Sequence, residues 1–146
     1  MLRVAPACSR GWRKEGARSV DSLEPCRVLV VDDDEIVRAS LMSLLKRSGY
    51  DAACAASGEQ ALRMLESASY QILLTDWQMP DMNGLELCRQ VRLGYQKGDV
   101  YLIILTMRDR EHDQQLALAA GADDYIYKGA APATILERLQ AARAAK

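Results

Sequence analysis

The sequence lacks several residue patterns that would place a protein in a particular class. It contains no phenylalanine, only one histidine, and four cysteines with no CxxC pair among them, so a zinc site would lack ligands. No apolar run approaches the ~18 residues of a transmembrane helix, and the basic N-terminal stretch lacks the hydrophobic segment of a signal peptide. We therefore expect reduced, buried cysteines, no membrane contact and the cytoplasm as the default compartment.

Length and charge narrow the classes further. The 146 residues fit one domain with a single hydrophobic core, and the formal net charge of -1 gives no electrostatic case for direct binding to nucleic acid or membranes. The first 20 residues differ from the rest, because five basic residues there stand against one acidic residue. We predict that residues 1–25 form a flexible N-terminal extension and that residues 26–146 form one folded domain.

Alternating strand and helix patterns begin at residue 26. Short apolar runs predict strands at residues 27–31, 51–56, 71–75, 101–105 and 124–127. Apolar residues at helical spacing predict helices at residues 34–48, 58–67, 84–93, 111–120 and 132–145. Strands that alternate with helices through short loops predict an α/β fold with a doubly wound, parallel five-stranded sheet.

Polar residues follow four of the predicted strands at the points where those strands end. Asp32 and Asp33 follow the first strand, Asp76 the third, Thr106 the fourth and Lys128 the fifth. Because ligands of such sheets bind at the carboxyl ends of the strands, these side chains should converge. Three carboxylates repel one another unless a cation lies among them or a pKa rises, and Mg²⁺ suits carboxylate and phosphate oxygens. A hydroxyl and an ammonium opposite them are able to bind the oxygens of a transferring phosphoryl group.

Each of these residues has a plainer interpretation when it is taken alone. An aspartate after a strand is more often a helix N-cap than a ligand, and Asp34 fits that role. Thr106 could cap the helix that follows it, and Lys128 could be an ordinary surface charge. Five residues of compatible types at the ends of strands nonetheless favour one site with a nucleophile, metal ligands and phosphoryl-binding groups.

Four motifs resemble those of the bacterial receiver domains of two-component response regulators, over about residues 27–142. They are VLVVDDDEI at residues 28–36, LTDWQMPDMNGL at residues 74–85, LT at residues 105–106 and GADDYIYK at residues 121–128. The resemblance extends to the chemotaxis regulators and implies a flavodoxin-like (βα)5 fold with strand order 2-1-3-4-5. It also implies a phospho-acceptor domain that signals, rather than an enzyme that turns over a substrate.

The resemblance assigns a role to each residue of the acidic cluster. Asp76 would attack the phosphohistidine of a sensor histidine kinase or a histidine phosphotransfer protein and become an aspartyl phosphate. Mg²⁺ would be held by Asp33, Asp76 and the backbone carbonyl of Gln78, while Asp32 would act through water. Magnesium is therefore the cofactor that the resemblance implies.

The same resemblance implies a conformational switch. Thr106 and Lys128 would bind phosphoryl oxygens, and Tyr125 would move inward when Thr106 is drawn to the phosphate. An output domain or a separate effector protein would respond to this change. A homodimer that forms on phosphorylation through the last two helices and the fifth strand is a further expectation, because that face carries charges of both signs. The charged residues are Asp113, Asp123, Asp124, Arg138 and Arg143.

Positions next to the site residues either depart from the usual receiver pattern or could tune its chemistry. Lys128 is followed by Gly129 where most receivers have a proline after a cis peptide bond, so we expect a trans bond here. Met107 stands after the threonine where the family usually has a small residue, and it could narrow the mouth of the pocket. Gln78 and Arg108, each two positions after a site residue, flank the expected path of a hydrolytic water.

Two alternative functions stay open at this point. A haloacid-dehalogenase-like phosphatase also uses an aspartate nucleophile, Mg²⁺ and a lysine, but its nucleophile ends the first strand in a different motif. Turnover of a phosphate ester would support that alternative. A receiver-like docking module that accepts no phosphate would fail to incorporate label from acetyl phosphate. Because the chain ends just after the fifth predicted helix, we expect either a stand-alone receiver or the first domain of a longer regulator.

Overall fold

Five strands alternate with five helices in the described part of the chain. The computed structural model describes residues 26–94, 100–107 and 111–145, so the predicted extension at residues 1–25 and Arg108 lie outside the described residues. The elements are β1 Arg27–Val31, α1 Glu35–Arg47, β2 Asp51–Ala55, α2 Gly58–Ser67, β3 Ile72–Asp76, α3 Gly84–Gly94, β4 Tyr101–Thr106, α4 Glu111–Ala119, β5 Asp124–Tyr127 and α5 Pro132–Ala145.

The strands form one parallel sheet in the order β2-β1-β3-β4-β5, which confirms the predicted topology. The predicted element bounds agree with the observed ones to within one residue at each end. Asp76 and Thr106, expected just after their strands, are the last residues of β3 and β4. All four strand pairs run in the same direction, so the carboxyl ends of all five strands lie at one edge of the sheet.

The hydrophobic core has two parts, one on each face of the sheet. Along β1, Leu29 and Val31 belong to the part that packs against α2, α3 and α4. Val28 and Val30 belong to the part that packs against α1 and α5. All four side chains are fully buried, because successive side chains of a strand point to opposite faces and helices cover both.

Short polar and glycine signals set the helix ends. Asp34 is the N-cap of α1, and its Oδ1 accepts hydrogen bonds from the backbone N–H groups of Ile36 at 2.8 Å and Val37 at 3.4 Å, as expected for this residue. Gly49, which follows α1, has a φ of +90° that favours glycine. None of the helices in the described segments is both long and apolar enough to span a membrane.

Candidate phosphoryl-acceptor site

The sheet brings the predicted acidic residues together at its carboxyl edge. Asp32 follows β1, and Asp76 ends the neighbouring strand β3, whose residue Thr75 pairs with Val31. One carboxylate oxygen each from Asp32, Asp33 and Asp76 lie within 4.8 Å of one another. Asp32 and Asp76 are buried and Asp33 is exposed, so the cluster opens to solvent on the Asp33 side.

Lys128 supplies the positive charge of this cluster. Its Nζ lies 2.9 Å from Asp32 Oδ2 and 3.3 Å from Asp76 Oδ1. The backbone N–H of Lys128 donates to the carbonyl of Thr106 at 2.6 Å, which ties the end of β5 to the end of β4. Three carboxylates thus lie together while the ammonium of Lys128 contacts two of them, so the cluster carries an excess of negative charge.

The pKa values of Asp76 and Lys128 are both shifted by burial and by the excess of negative charge. Burial raises the pKa of Asp76 above its usual value, and the neighbouring Asp32 carboxylate raises it further, while Lys128 opposes the shift. Burial alone would lower the pKa of Lys128, but the hydrogen bond to Asp32 and the attraction of Asp76 and Asp32 outweigh it, so that pKa is raised. Lys128 therefore stays an ammonium, and ionised Asp76 is in an unfavourable environment.

The two aspartates after β1 differ in their contacts. Asp32 Oδ1 accepts a hydrogen bond from the N–H of Asp34 at 2.9 Å, and its Oδ2 contacts Lys128. Within the described part of the chain, the side chain of Asp33 makes no hydrogen bond or ion pair. The carboxylate of Asp33 is therefore available to a metal ion, whereas both oxygens of Asp32 are engaged and Oδ1 of Asp76 contacts Lys128. Hard oxygen donors with surplus negative charge fit Mg²⁺.

The backbone around Asp76 is closely packed. The hydroxyl of Thr75 donates to the carbonyl of Asp76 at 2.9 Å, and the N–H of Gly84 donates to the carbonyl of Trp77 at 2.8 Å. A Cβ at position 84 would lie 2.2 Å from the carbonyl oxygen of Asp76, so only glycine fits there. No role for Gly84 followed from the sequence, although its place as the penultimate residue of the 74–85 motif was a signal. Gln78 has an exposed side chain, and its carbonyl as a metal ligand stays a prediction.

The two predicted switch residues lie on neighbouring strands. Thr106 is buried at the end of β4, and Tyr125 on β5 pairs in register with Ile104. The ring of Tyr125 is buried, with its centroid 6.3 Å from that of Trp77 and the ring planes at 89°, an edge-to-face contact. Tyr125 therefore occupies an inward position in this structure, and its movement on phosphorylation stays a prediction.

The departures from the receiver pattern have clear places in the structure. No peptide bond among the described residues is cis, so the bond between Lys128 and Gly129 is trans, as expected. A Cβ at Gly129 would come within 2.5 Å of the ring of Tyr127. Met107 is 64% exposed at the end of β4, which places its side chain at the rim and not in the core.

The charged residues named for a dimer are engaged within the chain. The ion pairs join Arg138 to Asp124 and, at 2.6 Å, Arg92 to Asp123. Asp113 is buried, and the guanidinium of Arg143 lies 5.6 Å from the ring centroid of Tyr50. The charge argument for the dimer is weakened, because these groups already have partners in one copy of the chain.

The fold and the site define the class of a CheY-like receiver, and comparisons with known proteins agree. Residues 28–140 match the family described as response regulator receiver domain. The chain is 38% identical over 115 residues to the alkaline phosphatase synthesis transcriptional regulatory protein PhoP of Bacillus subtilis, which covers 79% of this chain and 47% of PhoP. The chain belongs to the response regulator receiver domain family, whose members are signalling domains of two-component systems. It spans about half the length of the curated relatives it matches.

Solved structures show the same fold. Chemotaxis protein CheY4 of Vibrio cholerae has a TM-score of 0.77 and 30% identity, over 81% of this chain and 98% of that one. The receiver domain of sensor histidine kinase PA1611 from Pseudomonas aeruginosa has a TM-score of 0.74 and 28% identity, over 80% and 96%. That structure has a magnesium ion coordinated in its active site cleft. The family assignment does not support the haloacid-dehalogenase alternative.

Proposed function

We propose that Asp76 accepts a phosphoryl group from the phosphohistidine of a sensor histidine kinase or a histidine phosphotransfer protein. A carboxylate oxygen of Asp76 forms a bond to phosphorus, the bond between phosphorus and the imidazole nitrogen breaks, and its electron pair stays with that nitrogen. The observation that carries the proposal is the buried Asp76 carboxylate, 3.3 Å from Lys128 and clustered with two further carboxylates. Because burial raises its pKa, Asp76 is a more basic nucleophile than an exposed aspartate.

Mg²⁺ is the proposed cofactor, and when bound it would neutralise charge on the phosphoryl oxygens. We propose that Asp33 and Asp76 hold it directly together with the carbonyl of Gln78, and that Asp32 acts through water. The engaged oxygens of Asp32 and the side chain of Asp33, which lacks a partner among the described residues, support this division of roles.

Thr106 and Lys128 are proposed to bind the phosphoryl oxygens, and Tyr125 to report the modification to the rest of the domain. The burial of Thr106 at the edge that carries Asp76 supports the first role, and the position of Tyr125 on β5 supports the second. An output domain or an effector would read the change, and PhoP, a transcriptional regulatory protein, is an example of a longer relative. We also propose residues 26–146 as the receiver unit.

A homodimer through α4, β5 and α5 stays a proposal with reduced support. The partners of Asp123 and Asp124 within the chain would have to exchange for partners in a second copy. Exposed ion pairs contribute only about 0–1 kcal/mol each, so such an exchange would yield little stability. Sedimentation with and without beryllofluoride and Mg²⁺ tests it, and an unchanged coefficient would favour a different partner for this face.

The acceptor is tested with acetyl phosphate or phosphoramidate and intact-mass analysis in the presence and absence of Mg²⁺. We expect one phosphoryl adduct on the parent chain with Mg²⁺ and none on Asp76→Asn. Asp33→Asn should need far more Mg²⁺ because it loses an anionic ligand. Asp81→Asn is the matched control, since it removes an exposed carboxylate five residues further along and should react like the parent.

Three outcomes would change the proposal. An adduct that persists on Asp76→Asn would place the acceptor elsewhere. A parent chain that never gains an adduct would favour a docking module. Release of phosphate from a phosphate ester with multiple turnovers would revive the phosphatase alternative.

A further inference from the structure

Arg38 reaches back from helix α1 to the end of strand β1. It is the fourth residue of the helix and is half-buried, and its Nη1 donates to the backbone carbonyl of Asp32 at 2.8 Å. The contact joins two residues six positions apart, across the turn that carries Asp33. No role for Arg38 followed from the sequence.

Each polar group of Asp32 has a hydrogen-bond or ion-pair partner. Its N–H donates to the carbonyl of Ala55 at 3.2 Å, and its Oδ1 accepts from the N–H of Asp34 at 2.9 Å. Its Oδ2 contacts Lys128 at 2.9 Å, and its carbonyl accepts from Arg38. Of these partners, Arg38 belongs to helix α1. Its hydrogen bond therefore couples the orientation of the Asp32–Asp33 peptide to that helix.

We propose that Arg38 is a positioning residue for the metal site. The inference rests on the proposed function, because it assumes that Asp33 is a ligand of Mg²⁺. The side chain of Asp33 makes no hydrogen bond or ion pair within the described segments, so the backbone of the 32–34 turn decides where its carboxylate lies. Without Arg38 the carbonyl of Asp32 loses its donor, and the adjoining peptide is freer to rotate.

Charge and position predict opposite effects of removing Arg38. A positive charge near the acidic cluster repels a divalent cation, so its loss would by itself strengthen Mg²⁺ binding. A positioning contact acts the other way, because removing a group that orients a metal ligand typically weakens metal affinity 10–100-fold. The sign of the change in the Mg²⁺ dissociation constant therefore separates the two roles.

The experiment measures Mg²⁺ affinity by Trp77 fluorescence and by calorimetry. Trp77 is buried directly after Asp76, and the second tryptophan, Trp12, is replaced by Phe in every variant so that one emitter remains. We expect Arg38→Ala to raise the dissociation constant about tenfold. Arg38→Lys keeps a donor and the charge and should recover part of the affinity. Arg47→Ala removes the same charge from the same helix and should leave the affinity unchanged or slightly stronger.

A readout without metal tests the positioning itself. The N–H of Asp34 donates to Asp32 Oδ1, so its hydrogen exchange should become faster in Arg38→Ala and stay at the parent rate in Arg47→Ala. Should Arg38→Ala fail to fold, Arg38→Met, which keeps the aliphatic stem but lacks both the donor and the charge, takes its place and should show the same loss of Mg²⁺ affinity. Parent-like or tighter Mg²⁺ binding by the folded Arg38→Ala or Arg38→Met chain, with unchanged exchange at Asp34, overturns the proposal. A parent chain that binds no Mg²⁺ instead overturns the proposed metal site.

Discussion

The two ends of the sheet arrange their charged side chains in opposite ways. At the amino ends of β4 and β5, Arg92 pairs with Asp123 at 2.6 Å and donates to the carbonyls of Gly121 at 3.0 Å and Val100 at 2.9 Å. The same oxygen of Asp123 also accepts from the N–H of Leu102 at 2.9 Å. One cation meets one anion, and each guanidinium nitrogen has an acceptor. At the carboxyl ends, three carboxylates lie together, and the ammonium of Lys128 contacts two of them, those of Asp32 and Asp76.

The difference separates a structural network from a binding site. The network around Arg92 ties the end of α3 to Val100 just before β4 and to Gly121 and Asp123 just before β5, without a ligand. The cluster around Asp76 keeps a net negative charge, and its buried carboxylate has a raised pKa. Such a cluster costs stability in the free chain and becomes favourable when a cation and a phosphoryl group enter, which is how functional sites commonly trade stability for binding.

The largest expected loss of stability comes from a steric overlap at the carboxyl ends of the strands. Gly84→Ala would place a Cβ 2.2 Å from the carbonyl oxygen of Asp76, and backbone atoms there cannot move aside cheaply. We expect a loss of roughly 3 kcal/mol or more in the free energy of unfolding, together with loss of phosphorylation. Urea denaturation and intact-mass analysis measure the two effects.

Gly94 provides the matched control for this substitution. It ends the same helix, α3, and a Cβ there would have no heavy atom within 4 Å. Gly94→Ala should therefore be neutral or stabilise the chain by up to about 1 kcal/mol, because alanine has the higher helix propensity. Equal losses in the two variants would mean that the close approach at Gly84 does not determine the site.

The next largest loss of stability is expected when the Arg92 network at the amino ends of β4 and β5 is removed. Arg92→Ala removes an ion pair and two hydrogen bonds to carbonyls and leaves Asp123 without its cation. Because these groups are partly exposed, we expect a loss of about 1–2 kcal/mol in the free energy of unfolding, with Mg²⁺ affinity unchanged. Arg89→Ala, which breaks an exposed pair with Glu86 on the same helix, should cost less than about 0.5 kcal/mol. A large change in Mg²⁺ affinity for Arg92→Ala would show that the two ends are coupled.

The smallest expected effect is a gain in stability, on substitution of Asp76. The raised folded-state pKa means that Asp76 favours folding when it is protonated, below its unfolded pKa, and that this contribution is lost as pH rises through the folded pKa. Ionised Asp76 therefore destabilises the metal-free chain at neutral pH, and Asp76→Asn should raise the melting temperature by about 2–5 °C. The gain should disappear as pH falls below the unfolded pKa of Asp76. If Asp76→Asn melts below the parent at neutral pH, ionised Asp76 does not destabilise the metal-free chain.

Local sequence patterns were sufficient for the strands, the helices and the acidic cluster, whereas the strand order was predicted from the resemblance to receiver domains. Strands and helices are read from periodicities of two and 3.6 residues, which depend only on neighbours along the chain. Because a parallel sheet gathers the carboxyl ends of its strands, the residues at those ends identified the site before any contact was known. Asp32, Asp76, Thr106 and Lys128 all lie at that edge.

Only the tertiary structure decided which charged groups pair with one another. The sequence allowed Arg138, Arg143 and the acidic residues near β5 to face a second copy of the chain, yet the fold joins Arg138 to Asp124 and Arg143 to Tyr50. In the same way it directs Arg38 onto the carbonyl of Asp32. These contacts depend on how each helix is rotated and placed against the sheet. That placement follows from packing of the whole core, which no local pattern specifies.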